Sequence, residues 1–515
     1  MASVLFSPIE LRGLTLPNRI VVSPMCQYSA ADGSATDWHL AHLGQLSLSG
    51  AGLLISEAIA VERRGRITHG CLGLYSDDNE DALARVIAFC NRHGQTPFGV
   101  QLAHAGRKGS VHHPWNGGKA LAADEDPWET VSSTAEGYDD WPAPKMADEA
   151  ELARLKEAFV QATIRSDRLG VELVEFHNAH GYLGNVFLSP LVNNRDDRYG
   201  GSFENRIRFP LETFEAMRRV WPADKPMGVR IPGSDWVEEG GWTVEDAVNY
   251  AGALKEAGAD YVVVSSGGVV PQQRIKVGPS YQVPFAAEVK ARTGIATMAV
   301  GMITEPKQAE EIIESGKADM VALARSFLYN PRWAWHAAEA LGADQMVIHS
   351  PFNFWHTLNY VNYPDIRRSL FDASADCLQP VLQRASDTGC TLVLENIDDT
   401  APADRFDLVA EIDHPNLKLS IDTGHAELAH QNYGAPPLVD FIAASKDRLD
   451  HVHLQDVDGH ADRHWHPGEG CILWVAVFGA LRASESNPRL VLEVRSELER
   501  LPATVARLES LGLAN

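Results

Sequence analysis

Cysteine is scarce in this sequence. Its 515 residues include six, Cys26, Cys71, Cys90, Cys377, Cys390 and Cys471, and no two are spaced as a CxxC metal or cluster knuckle. Thiols this sparse exclude a disulfide scaffold and imply reduced cysteines in a cytoplasm. Basic side chains are the minority charge: 45 Lys and Arg face 69 Asp and Glu, a formal net charge of −24. That balance argues against a surface built to neutralise nucleic-acid phosphates. No apolar run reaches the roughly 18 residues of a membrane span. The opening MASVLFSPIELRG lacks the basic-then-apolar order of an export signal. A cytoplasmic protein that binds neither nucleic acid nor membrane is expected. No Pro/Gly/Ser-rich linker divides the chain either, although its length suggests two domains.

What is present is a repeated grammar. Eight short apolar, β-branched runs occur before residue 343: 19–25, 52–61, 97–104, 173–180, 226–232, 260–266, 296–302 and 319–325. Helical patterns such as DALARVIAFCNRHG (81–94) and EDAVNYAGALKEAGA (245–259) lie between them. Strands apolar on both faces, each followed by a helix, imply a parallel sheet, and eight units suffice for a closed (β/α)8 TIM barrel over residues 1–343. LFSPIELRGLTLPN, around Gly13 and Pro17, reads as a hairpin plugging the barrel bottom. The long polar excursion 110–145 follows the third strand and is expected over the opposite face.

From residue 344 to 515 the grammar resumes with only five strand-like runs, 346–352, 391–396, 417–425, 449–456 and 489–494. Five strands do not close a standard barrel. The expected architecture is therefore α/β: a complete TIM barrel followed by an incomplete, TIM-barrel-like domain whose first βα units are missing.

Functional residues of such barrels gather at the C-terminal ends of the strands. Here those ends carry Ser23-Pro24-Met25-Cys26, Ala58 to Ala60, Gln101, His104, His177, His180, Tyr182, Arg230, Ser265 to Gly268, Gly301-Met302 and Ala324-Arg325. Arg230 is a lone cation leaving an apolar strand, so it needs an electron-rich partner or a structural ion pair. In FHNAHGY, His177 and His180 could be metal ligands, packing residues, or a binding cradle with the tyrosine beside it. Cys26 taken alone could be an inert buried thiol.

SPMCQYSA (23–30), GVQLAHAGRKGS (99–110), FHNAHGYLGNVFLSPLVNNRDDRYGGSFENRIRF (176–209), VRIPGSDW (229–236) and ADMVALARSFLYNPRW (318–333) together resemble the old yellow enzyme family, in its bacterial thermophilic-like class. The resemblance covers roughly residues 3–343. It implies an FMN-dependent NADPH (or NADH) dehydrogenase, an ene-reductase acting on small electron-poor alkenes, namely C=C bonds conjugated to carbonyl or nitro groups. By the resemblance, Ser23, Pro24, Met25, Cys26, Ala60, Gln101 and Arg230 line the flavin, while Gly301, Ala324 and Arg325 mark its phosphate loops. His177 and His180 would hold the substrate carbonyl oxygen. Hydride would come from flavin N5 and the proton from Tyr182, with Tyr28 a second hydroxyl above the ring. A homo-oligomer is expected. The four-cysteine iron–sulfur motif of larger relatives is absent, as is the class's PPQY-like tail after Ala343.

VIHSPFN (347–353), LVLENIDD (392–399), SIDTGHA (420–426), HVHLQD (451–456), DRHWHPGEG (462–470) and LVLEV (490–494) resemble the later part of xylose-isomerase-like barrels. The resemblance implies divalent-metal ligands at Glu395, Asp422, His453 and Glu493, with His425, Asp462 and His464 as further ligands or substrate contacts. Oxygen ligands with one imidazole suit Mn, Mg or Zn. This part would be a metal-dependent sugar or polyol isomerase or epimerase, or a non-catalytic appendage.

Overall fold

The computed structural model describes residues 3–342, 344–494 and 500–510. The chain divides into two compact units, Met1–Leu341 and Gly342–Asn515.

The first unit opens with an antiparallel hairpin, β1 (Ile9–Leu11) and β2 (Leu14–Leu16), turning through Arg12-Gly13. Then come β3 (Ile20–Val22), β4 (Leu53–Ala60) and β5 (Phe98–Ala103). In the excursion after β5 the strands are a two-residue parallel pair, β6 (Val131–Ser132) and β7 (Lys145–Met146), preceded by short 3-10 turns at Gly106–Lys108 and Pro114–Asn116. After it follow β8 (Leu173–His177), β9 (Met227–Pro232), β10 (Tyr261–Ser265), β11 (Ala296–Ala299) and β12 (Met320–Leu323). β3, β4, β5 and β8 to β12 pair in chain order, all parallel, and β12 closes on β3. The eight expected strands are the eight staves of this barrel.

Their alternation explains the closure. Val21, Leu53, Ile55, Leu173, Tyr261, Val263, Met298 and Met320 point inward and form one buried cluster, which Leu11 and Leu16 of the hairpin join. Ile20, Val22, Leu54, Val174, Val262 and Val264 point outward into a second cluster shared with the helices. A strand apolar on both faces can only sit between two packed layers. The helix Phe203–Val220 shows how the outer layer is held: Ser202 accepts the Asn205 N–H at its N-terminus, and Phe209, Phe214 and Met217 turn onto the sheet.

The second unit is an open, five-stranded parallel half-barrel in chain order: β13 (Gln345–His349), β14 (Thr391–Glu395), β15 (Leu417–Asp422), β16 (Leu449–Leu454) and β17 (Arg489–Leu492). All five expected strands form, each ending one to three residues before its expected run does. The run LKLSIDTGH stops as a strand at Asp422, because that carboxylate accepts the His425 N–H and caps the helix Thr423–Tyr433. Its own core is centred on Leu394, Leu419, Ile421, Phe441 and Val452.

Phe214 is fully buried in the outer layer. Phe214→Ala is expected to lower the stability of the barrel by about 3–5 kcal/mol, read from its transition in urea. A loss below about 1 kcal/mol would show that this layer is loosely packed.

Candidate active site

Parallel closure brings the C-terminal strand ends of the first unit together. Ser23 follows β3, is buried, and donates its backbone N–H to Leu323 O of β12 at 2.9 Å. Cys26 and Tyr28 follow in the same loop. Burial, with the Glu57 carboxylate as the next contributor, pushes the Cys26 thiol well above its usual range. It is a thiol at neutral pH. Glu57, buried in β4, accepts the Gln27 N–H at 3.2 Å and lies 3.3 Å from His39 Nε2. Ala58 and Ala60 of β4 meet Cys71 and Tyr182 around a water-sized void.

On β8, His177 is the last strand residue; His180 stands in the following loop with φ 64° and does not share a helical face with it. The Ala179 N–H donates to His177 Nδ1 at 3.2 Å, which leaves the ring proton on Nε2. Nε2 lies 3.2 Å from His180 Nδ1, and His180 Nε2 lies 2.7 Å from Ser265 Oγ at the end of β10. The pair thus forms a directed chain of N–H donors. Burial, reinforced by the Arg230 charge, lowers both imidazoles well below the usual histidine value, so both rings are neutral. Among the described residues, groups of three or more potential metal ligands occur only in the second unit.

Tyr182 stacks edge-on to His177, 5.2 Å between ring centroids. Burial raises its phenol, and that of Tyr28, well above the usual tyrosine value. Both line a cavity of about 290 Å3 together with Thr68, Lys108, His112 and Trp141. Lys108 had no place among the expected site residues, although GRKGS directly follows β5. Its Nζ donates to His180 O and Gly268 O, each at 2.9 Å, and burial pushes its ammonium down to about 8.

Arg230 on β9 stands level with His177. Its Nη1 is 3.5 Å from Ser23 Oγ, and its buried Nε has no hydrogen-bond partner among the described residues. Gln101 on β5 donates to Glu175 of β8 at 2.6 Å. Gly301 has φ 109°, a conformation closed to most side chains, and a Cβ there would press on Gln282 at 3.1 Å. Ala324 precedes the short helix Arg325–Tyr329 with φ −110° and ψ −84°, and Arg325 is exposed. Met25 is half-buried against the outer layer of the barrel.

Residues 4–344 match the model of the NADH:flavin oxidoreductase / NADH oxidase family. The chain belongs to that family. It is 45% identical to an NADPH dehydrogenase of Geobacillus sp. (strain WCH70) over 344 residues, 66% of this chain and 96% of the relative. An NADPH dehydrogenase of Bacillus subtilis (strain 168) is 39% identical over 346 residues, 67% of this chain and 97% of the relative. Among solved structures, morphinone reductase superposes with a TM-score of 0.56 at 25% identity, over 66% of this chain and 90% of that one. Residues 324–511 match the model of the xylose isomerase-like TIM barrel. The first unit is thus the oxidoreductase barrel of this flavin family, and its strand ends suit a flavin. A buried guanidinium nitrogen without a partner needs an electron-rich atom at that place.

In the second unit, Glu395 ends β14, Asp422 ends β15, His453 stands one residue from the end of β16, and Glu493 follows β17. His453 Nδ1 lies 2.7 Å from Glu395 Oε1 and 3.0 Å from Glu493 Oε2, yet makes no well-directed hydrogen bond to either. Ligand atoms of Asp422, His453 and Glu493 lie within 4.8 Å of one another, as do those of Glu395, His451 and His453, so His453 joins both groups. His451 escaped the sequence reading, although two-residue alternation in HVHLQ puts both histidines on one face. Burial pushes Glu493 up to about 7. Beside this cluster His464 Nε2 lies 2.9 Å from Asp462, and His425 Nε2 3.6 Å from the same carboxylate. Burial opposes the charge on His425, but Asp422 and Asp462 outweigh it and raise that imidazole to about 10.

With both rings so strongly desolvated, His177 and His180 are expected to keep neutral 15N ring signals from about pH 6 to about pH 8. A titration of either ring inside that window would contradict the assignment.

Proposed function

We propose that the first unit reduces the C=C bond of small α,β-unsaturated carbonyl or nitro compounds, with NADPH or NADH as the electron source. The observation that carries the reading is a pair of neutral imidazoles, chained as N–H donors, beside the protonated Tyr182 and a cavity of about 290 Å3.

FMN, when bound, supplies the hydride chemistry. Ser23, Pro24, Met25, Cys26, Ala60, Gln101 and Arg230 would hold its ring, and Gly301, Ala324 and Arg325 its phosphate. Arg230 brings a fixed positive charge that needs no reorganisation to meet negative charge near the ring. A substrate carbonyl oxygen competes with Ser265 Oγ for the His180 Nε2–H and with His180 Nδ1 for the His177 Nε2–H. Two neutral donors polarise that oxygen without placing a full charge in the pocket. Tyr182, protonated far above neutral pH, is the acid that delivers a proton to the α-carbon. Tyr28 presents a second hydroxyl to the same cavity.

For the second unit we read a divalent-cation site, Mn, Mg or Zn, at Glu395, Asp422, His453 and Glu493. The close but undirected approach of His453 Nδ1 to two carboxylates supports it, because ligands aimed at a shared point have this geometry. The matching chemistry is metal-assisted isomerisation or epimerisation of a sugar or polyol.

Tyr182→Phe is expected to slow single-turnover reduction of cyclohexenone by about 100-fold or more while sparing flavin reduction by NADPH. Equal loss in both half-reactions would remove Tyr182 from the acid's role. In the second unit, Glu395→Ala and Asp422→Ala should each weaken Mn2+ binding, read by calorimetry, by more than the roughly 10–100-fold typical of outer-shell partners. Wild-type affinity in both variants would refute the site.

A further inference from the structure

One buried charge in the barrel is not used by the reaction as read above. Glu175 sits two residues before His177 on β8, so strand alternation turns both side chains to the same face, and it is fully buried. The register sets Gln101 of β5 opposite Glu175, Gly228 of β9 on its other side, and Tyr261 of β10 beside Gly228. Four strands thereby assemble one level of the barrel. Gln101 Nε2 donates to Glu175 Oε1 at 2.6 Å, and the Tyr261 hydroxyl donates to Oε2 at 3.3 Å. Gly228 permits this span, since a Cβ there would stand 2.2 Å from the Tyr261 ring. The two donors account for both carboxylate oxygens.

Arg230 lies two residues beyond Gly228, on the same face of β9 and one step nearer the strand ends. Burial pushes the Glu175 carboxyl up and the Arg230 guanidinium down, and each group opposes that effect on the other. Among the described residues, however, no hydrogen bond joins them. A purely structural pair would consume the guanidinium donors. Here the carboxylate balances the charge while the Nε–H stays available.

We propose that Glu175 is a positioning residue that tunes the flavin seat in two ways. Its carboxylate fixes the Gln101 amide so that Nε2 is held and Oε1 is left for the cofactor. It also offsets part of the Arg230 charge, which keeps the reduction potential of the bound flavin below the value that an unopposed guanidinium would give. The inference rests on the reading that Gln101 and Arg230 line the FMN ring. Negative charge on the reduced ring is stabilised by Arg230, and a carboxylate one layer deeper subtracts from that stabilisation.

The test is dye-coupled redox titration of the FMN-loaded full chain. Glu175→Gln, nearly isosteric, is expected to hold FMN and titrate at a more positive potential than wild type. Glu175→Asp keeps a carboxylate at the same strand position, so its potential is expected to stay closer to wild type than that of Glu175→Gln. A wild-type potential in Glu175→Gln overturns the proposal. A potential well above wild type in Glu175→Asp does so too, and that result does not depend on whether Glu175→Gln folds. A wild-type protein that takes up no FMN would instead defeat the underlying flavin reading, and this proposal with it.

Discussion

Arg230 places a full positive charge at the end of an apolar strand inside a closed parallel barrel, where water cannot share it. An uncompensated ion in such surroundings would cost several kcal/mol even after relaxation, so the fold has to supply answering groups. It supplies the Glu175 carboxylate one layer down and the Ser23 hydroxyl across the barrel. The remaining demand falls on the buried Nε–H, which has no hydrogen-bond partner among the described residues. The same charge reaches the histidines: after burial it is the largest influence keeping His177 and His180 neutral. The proposed donors, acid and flavin seat are thus arranged around one guanidinium.

The barrel can hold that charge because it is closed. With β12 paired to β3, no strand edge is left open, and the interior is filled from the hairpin upward by Leu11, Leu16, Val21 and Leu53. Above these layers the interior turns polar, with Gln101 and Glu175 one level below Arg230 and His177. Among the described residues, the second unit has five strands in the same parallel order and no closing pair. Its β13 and β17 each pair on one side only, and Met346, Ile348, Leu490 and Leu492 on them are only partly buried. Its acidic and imidazole groups still line the strand ends, because that placement follows from strand direction and does not require closure.

Most of the fold was legible because parallel strands buried on both faces are written as continuous β-branched runs, and all thirteen such runs became strands. The shortening of the run at 417–425 was less visible: LKLSIDTGH is apolar enough to continue, and only the capping geometry of Asp422 stops it. In the site, His177, His180 and Tyr182 stood out because polar residues interrupt a strand ending. Glu175, His451 and Lys108 did not, for different reasons. Glu175 and His451 lie inside strands, where a polar residue becomes conspicuous only once its side-chain direction is counted. Lys108 lies in a loop whose carbonyl partners, His180 and Gly268, are 72 and 160 residues away in sequence. Partners at such distances are set by barrel closure, which leaves no local signal.

Burial has opposite consequences in the two clusters. In the barrel the histidines face a guanidinium and an ammonium, so desolvation and charge act in the same direction, and both rings stay neutral. The phenol of Tyr182 is desolvated as well and keeps its proton. All three groups are therefore neutral hydrogen-bond donors, the state that the proposed polarisation of a carbonyl oxygen and protonation of the alkene α-carbon require. In the second unit carboxylates outweigh desolvation at His425 and His453 and raise both, while burial lowers the neighbouring His451 to about 4. Imidazoles made this basic by oxygen anions attract a cation, either a proton or a metal ion. One environment is built to donate protons and the other to collect positive charge, although both arise from the same strand-end geometry.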